Sequence, residues 1–125
     1  MALQLVEMEA ISTDSTGAQT LYSRRPIAGY IETIRYIYTD LAAGATFTFT
    51  TETVGLAILT VTGVPTQDTS WFPRSQIVNA SGVPVVGGYD KVPLNGDRVK
   101  LVIAAGGASK TGRVVVIYRE ADRNR

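Results

Sequence analysis

Hydrophobic and polar positions alternate along this chain in short runs broken by Gly, Pro, Asn and Thr, and nowhere does a helical period take over. Residues 3–10 put Val6, Met8 and Ala10 on one side and Glu7 and Glu9 on the other, the two-residue period of a half-buried strand. The polar segment 12–20 reads as a loop, and Arg24-Arg25-Pro26 leads into a long strand where Ile34, Tyr36 and Tyr38 alternate with Arg35, Ile37 and Thr39. In Thr46-Phe47-Thr48-Phe49-Thr50 two Phe face the core beneath a row of Thr. The run Val54–Thr62 is apolar on both faces, with Val54, Leu56 and Ile58 opposite Ala57, Leu59 and Val61, so a loop or another subunit is expected to cover its outer face. Gly63-Val64-Pro65 ends it, and an irregular stretch to Pro73 carries the only Trp.

Beyond residue 75 the pattern predicts short strands at 76–79, 83–86 and 89–94, with Gly87-Gly88 between the last two. Asn95-Gly96 predicts a type I′ hairpin into 98–105, because both central residues of that turn need positive φ. A loop at 106–111 and a strand at 113–119 follow. Eight or nine strands so spaced predict one all-β domain over residues 1–125, an antiparallel β-sandwich of jelly-roll type. An immunoglobulin-like sandwich or a closed barrel comes next. Residues 1–26 are expected to form an N-terminal strand and arm, and 120–125 a charged tail.

Composition narrows the function. The 125 residues include no Cys and no His, so there are no disulfide staples, and the residue types behind most nucleophilic, general-base and transition-metal chemistry are missing. A net charge of +1 argues against a dedicated nucleic-acid binder, whose affinity comes from neutralising many phosphates. No run is long and apolar enough to span a membrane as a helix, and the N-terminus lacks a signal-peptide pattern.

The remaining motifs are weak as chemistry. Gly106-Gly107-Ala108-Ser109-Lys110-Thr111-Gly112 invites a phosphate-loop reading but lacks Gly before Lys and a helix after it, leaving a glycine-rich hairpin loop. Glu7 and Glu9 read as the solvated face of an edge strand rather than a glycosidase pair. Asp14, Asp40, Asp68, Asp90 and Asp97 lack the spacing of a calcium loop, and Asn79-Ala80-Ser81 is a bare sequon. The constellation Trp71-Phe72-Pro73-Arg74 combines residue types enriched at interface hot spots, while the plainer reading has at least one of its aromatics plug one end of the sandwich. Arg24 and Arg25 are candidate partners for an acidic neighbour, against a default reading as a solvated loop.

Taken together, Ile34-Arg35-Tyr36-Ile37-Tyr38, the Phe47/Phe49 threonine strand, the Trp71-Phe72-Pro73-Arg74 loop and a closing hairpin from Asp97 to Tyr118 give a texture that resembles the small jelly-roll decoration, or cement, proteins of tailed-bacteriophage capsids. The resemblance implies a non-enzymatic virion protein made in the host cytoplasm. It would bind the outer capsid surface as a homotrimer and cement contacts between major capsid proteins, with no cofactor or metal. Subunit or partner contacts are then expected at Trp71, Phe72, Arg74, Arg24, Arg25, Val54, Leu56 and Ile58. The competing reading is a carbohydrate- or receptor-binding module of a phage tail or bacterial surface, with Tyr30, Tyr36, Tyr38, Trp71 and Tyr89 as sugar platforms.

Overall fold

A computed structural model describes residues 3–120, the side chains of Gln76 and Ile77 excepted, so most of the expected C-terminal tail lies outside the described residues. Eleven strands follow one another: β1 (Leu3–Glu7), β2 (Ile11–Ser12), β3 (Gln19–Tyr22), β4 (Ile27–Tyr38), β5 (Ala45–Thr51), β6 (Ala57–Val64), β7 (Thr69–Trp71), β8 (Arg74–Val78), β9 (Pro84–Asp97), β10 (Val99–Ala104) and β11 (Thr111–Glu120). One sheet has the order β1-β11-β4-β9-β8, with β2 against β11 and β7 against β4; the other has the order β3-β10-β5-β6. Every pairing is antiparallel.

This order is a jelly roll. The chain forms one long hairpin with β5–β6 at its tip and β4–β9, β3–β10 and β1–β11 as successive rungs. The hairpin is rolled up so that β10 also meets β5 and β11 also meets β4, which makes two packed sheets. The strand count exceeds eight or nine because two positions are filled by separate pieces, β1 and β2 along β11, and β9 and β7 along β4.

Alternation builds the core. Ile34, Tyr36, Val114, Val116, Tyr118 and Val6 point inward from one sheet and meet Phe47, Phe49, Val99, Leu101, Ile103 and Leu21 from the other. In β4 the register slips at Glu32, since Ile117 opposes Thr33 and Tyr118 opposes Ile31. That extra residue lets Ile31 and Ile34, three apart, both face inward.

Several expectations are corrected. Val54 and Leu56 precede β6 in an exposed turn, and Ile58 is buried at a bulge between the pairs Thr50–Ala57 and Phe49–Leu59. The outer face of β6 is then Thr60 and Thr62 opposite Thr48 and Thr46, so the run's double apolar character comes from the bulge and an apolar loop. The strand also runs on through Gly63 to a buried Val64. Asn95-Gly96 makes no hairpin: β9 and β10 lie in different sheets, and Gly96, at φ 77°, is the extra residue of a bulge between Ala28–Asn95 and Ile27–Asp97. The polar stretch 12–20 contains β2's last residue and the start of β3. Residues 3–26 are no free arm, because Val6, Met8, Ile11 and Leu21 fill the core, while Ala10 is exposed.

The glycine-rich segment is likewise no hairpin loop. It carries the chain from β10 to β11 across the sandwich and closes one end by hydrogen bonds. Gly106 N donates to Gly17 O (2.9 Å), Ala42 N to Gly106 O (2.9 Å), Thr13 Oγ1 to Gly107 O (2.6 Å) and Lys110 N to Thr13 Oγ1 (2.7 Å). Gly17, at φ 81°, lies so close that a Cβ there would sit 2.7 Å from Gly107 N. Gly17→Ala is therefore expected to cost ~2 kcal/mol or more in urea unfolding, from strain and collision together.

The Tyr36 hydroxyl is buried without a hydrogen-bond partner. Burial, with smaller contributions from Tyr38, Asp40 and Asp68, pushes its pKa up to about 12. Since an unsatisfied buried hydroxyl costs ~1–3 kcal/mol, Tyr36→Phe is expected to leave stability unchanged or raise it by about 1 kcal/mol, as read from the urea midpoint.

Candidate functional site

From Ile27 to Ile31, β4 is paired with the end of β9 (Asp97 to Val92). From Ile34 onward its partner is β7, with Ile34 opposite Trp71 and Tyr36 opposite Thr69. β9 therefore leaves the sheet upstream of Val92, and residues 84–91 pair only with β8. The result is a two-stranded arm on the sheet's edge.

Its sequence is unusual for an exposed element. From Ser75 to Tyr89 there are fifteen residues without one charge. Val78, Val83, Val85 and Tyr89 are exposed along it, Val86 is 98% exposed, and Phe72 lies exposed at the base. An Asx turn closes the tip, where Asn79 Oδ1 accepts from Ser81 N (2.9 Å) and Val83 N (3.1 Å). A wide irregularity carries Gly87 and Gly88, between the pairs Val78–Pro84 and Gln76–Tyr89.

The base of the arm is polar and tied down. Glu32, at the β4 bulge, accepts from Lys91 Nζ (2.6 Å) and Arg119 Nε (3.0 Å), while Arg74 Nη1 donates to Glu32 O (3.3 Å) and Pro73 O (2.7 Å). The Lys91 and Arg119 hydrogen bonds, reinforced by their charges, outweigh desolvation and hold the Glu32 carboxyl below its usual 4.5. This network clamps β9 and β11 to the bulge.

At the far end of β9 lies an open groove of about 340 Å³, lined by Val54, Leu56, Pro93 and Leu94 with Thr51, Thr53, Asn95, Gly96 and Asp97. Val54 is 82% exposed there. The one carboxylate of the lining is already engaged: burial raises the Asp97 pKa, but donation from Thr53 N (2.9 Å), Thr53 Oγ1 (3.0 Å) and Arg98 N (3.0 Å) brings it below the ordinary value. The groove thus presents a largely apolar surface whose one carboxylate is hydrogen-bonded within the chain. Just outside it, Arg98 holds Glu52 in a two-pronged ion pair (2.8 and 2.6 Å) and lies 4.6 Å over the Tyr22 ring.

The sequence candidates do not converge on one spot. Trp71 is half-buried, stacked on Tyr36 (6.2 Å between centroids) and edge-on to Phe47 (6.1 Å), so it serves the core. Tyr36 is wholly buried, and neither ring offers the free face a sugar platform needs. Phe72 and Arg74 lie at the arm's base, Val54 and Leu56 at the groove, and Ile58 inside. Arg24 is exposed; Arg25 Nη2 donates to Leu5 O (3.0 Å) and touches the Tyr118 hydroxyl (3.5 Å), bracing β1. Glu7 is paired with Arg113 (2.9 Å) and Glu9 accepts from Tyr22 N (3.0 Å), so these acids hold strands together separately. Among the described residues no group of three or more Asp, Glu, His or Cys is placed to hold a metal ion. Sequence reasoning missed Val83, Val85 and Val86, whose signal was the absence of charge from 75 to 89.

The chain matches no family model, no curated protein and no solved structure.

Because the Glu32 pKa is lowered on folding, its contribution is complete above the usual 4.5 and is lost as pH falls through the folded value. Glu32→Gln is expected to lower the urea midpoint at pH 7, and the gap to the parent should close as the pH is taken below that point.

Proposed function

We propose that this is a non-enzymatic structural protein that works by binding protein surfaces through the β8–β9 arm. In the specific form suggested by its resemblance to phage decoration proteins, it binds the outer capsid surface as a homotrimer and cements contacts between major capsid proteins. The observation that carries the reading is the uncharged, solvent-exposed arm. A two-stranded ribbon is at best marginally stable in water, and a row of exposed valines without a gatekeeper charge invites aggregation unless a partner covers it. The jelly roll beneath supplies a rigid base.

The half-buried Trp71 and wholly buried Tyr36 weigh against the carbohydrate-binding alternative, leaving Tyr30 and Tyr89 as its exposed rings.

The test is binding of purified protein to capsids lacking it, for the parent and for a Val85→Asp/Val86→Asp double variant. Both substitutions fall on exposed arm positions, so the unfolding free energy is expected to stay within about 0.5 kcal/mol of the parent's. Capsid binding by the parent with at least a tenfold loss in the variant is the expected result. Absence of binding by the parent, or equal binding by both, would sink the proposal.

A further inference from the structure

We infer that the Arg24–Arg25 segment is a strap that locks the β1 border of the larger sheet against pairing with β1 of a second copy. A strand at a sheet border presents N–H and C=O groups that another chain can pair with. On β1 those groups belong to Leu5 and Glu7: Met8 N donates to Val114 O (2.9 Å), and alternation along the strand then turns Val6 toward β11 and Leu5 and Glu7 away from it. Both outward carbonyls are taken from within the chain. Arg24 N donates to Glu7 O (3.1 Å), and Arg25 Nη2 donates to Leu5 O (3.0 Å) with the Tyr118 hydroxyl 3.5 Å away.

The same row runs on past β1. Glu9 N donates to Tyr22 O (3.0 Å), Gln19 Nε2 to Ala10 O (3.2 Å) and Ser12 N to Gln19 Oε1 (2.6 Å), so this flank of the sandwich is closed from Leu5 to Ser12 by residues 19–25. Most of those bonds involve main chain and side chain of β3 and the residues just after it. The last one falls to the Arg25 side chain alone, because at Pro26 the chain turns off into β4 and no further backbone N–H follows β1. The strap is itself pinned. The wholly buried Ser23 exchanges Ser23 N to Val99 O (2.8 Å) and Val99 N to Ser23 Oγ (3.1 Å), and its hydroxyl donates to Arg25 O (2.9 Å).

The lock matters because of what β1 is. Leu3 and Leu5 are more than half exposed, and the one acid of the strand, Glu7, is neutralised by Arg113 (2.9 Å), so without the strap β1 is an apolar border strand with free carbonyls and no unpaired charge to keep another copy off. The opposite border of the same sheet is the β8–β9 arm. A sheet open at both borders can add copies end on end without limit, and closing β1 removes that route.

The test is light scattering over a wide concentration range. Arg25 is exposed, so Arg25→Ala and Arg25→Gln are expected to fold, which the urea midpoint checks. Both are expected to show a weight-average mass that rises at least about twofold above the parent's as concentration is raised. Adding Leu5→Lys to Arg25→Ala puts like charges on the two unlocked strands and is expected to return the mass to the parent's. Adding Val102→Lys instead, the same charge at an exposed position of β10 in the other sheet, is expected to leave the association in place. Parental mass throughout for both Arg25 variants would overturn the inference, as would association that Leu5→Lys fails to reverse or that Val102→Lys reverses equally. Capsid binding through the arm is read in a separate assay, so the proposed function stands or falls independently of these outcomes.

Discussion

The packing of Trp71 against Tyr36 and Phe47 is the contact on which the rest of the architecture turns. Tyr36 and Trp71 come from one sheet and Phe47 and Phe49 from the other, with ring centroids 5.3 to 6.4 Å apart, so the cluster joins the two layers. It also decides what lies beside β4. With Trp71 docked opposite Ile34, β7 occupies the second half of that edge, and β9 has no place there beyond Val92. The arm is a consequence of that competition: one strand is seated by a large aromatic, and the other is left to pair with β8 alone.

Mechanical coupling follows from the same arrangement. The arm leaves the sandwich at Lys91, where Glu32 gathers Lys91 and Arg119 at the β4 bulge. A bulge usually re-aims a strand or side chain; here the extra residue places a carboxylate between two strands at the arm's root. Force applied to the arm is transmitted to β4 and β11, the central pair of the larger sheet. The opposite end is stiffened by backbone hydrogen bonds among the Gly17, Ala42 and Gly106 loops. A rigid body with one exposed ribbon suits the proposed role in surface contact.

Much of the fold was legible because alternation survives wherever one face is buried: β5, β10 and β11 read directly as Phe47/Phe49, Val99/Leu101/Ile103 and Val114/Val116/Tyr118. What alternation does not carry is which strand is whose neighbour. Asn95-Gly96 carries the sequence signal of a turn, yet the same positive φ at Gly96 serves a bulge, and the choice depends on whether β10 is better buried against β5 than against β9. The glycine-rich loop before β11 misled for the same reason. At Val54–Leu56 apolar character suggested strand, because sequence records hydrophobicity and not whether a residue ends up buried or in an exposed turn. Phe72, Arg74, Val54 and Leu56 were singled out and do lie at the arm's base and the groove, whereas Trp71 and Ile58 proved to be core. The valines of the arm went unnoticed because short apolar runs between glycines look like ordinary half-buried strands.

The most direct measurement of the central claim is amide hydrogen exchange, residue by residue, as protein concentration is raised. The account predicts fast exchange across residues 76–91 in dilute solution, protection of those amides as copies associate, and constant strong protection of β4, β5 and β11 throughout. An arm as well protected as the core in a protein that stays monomeric would contradict it.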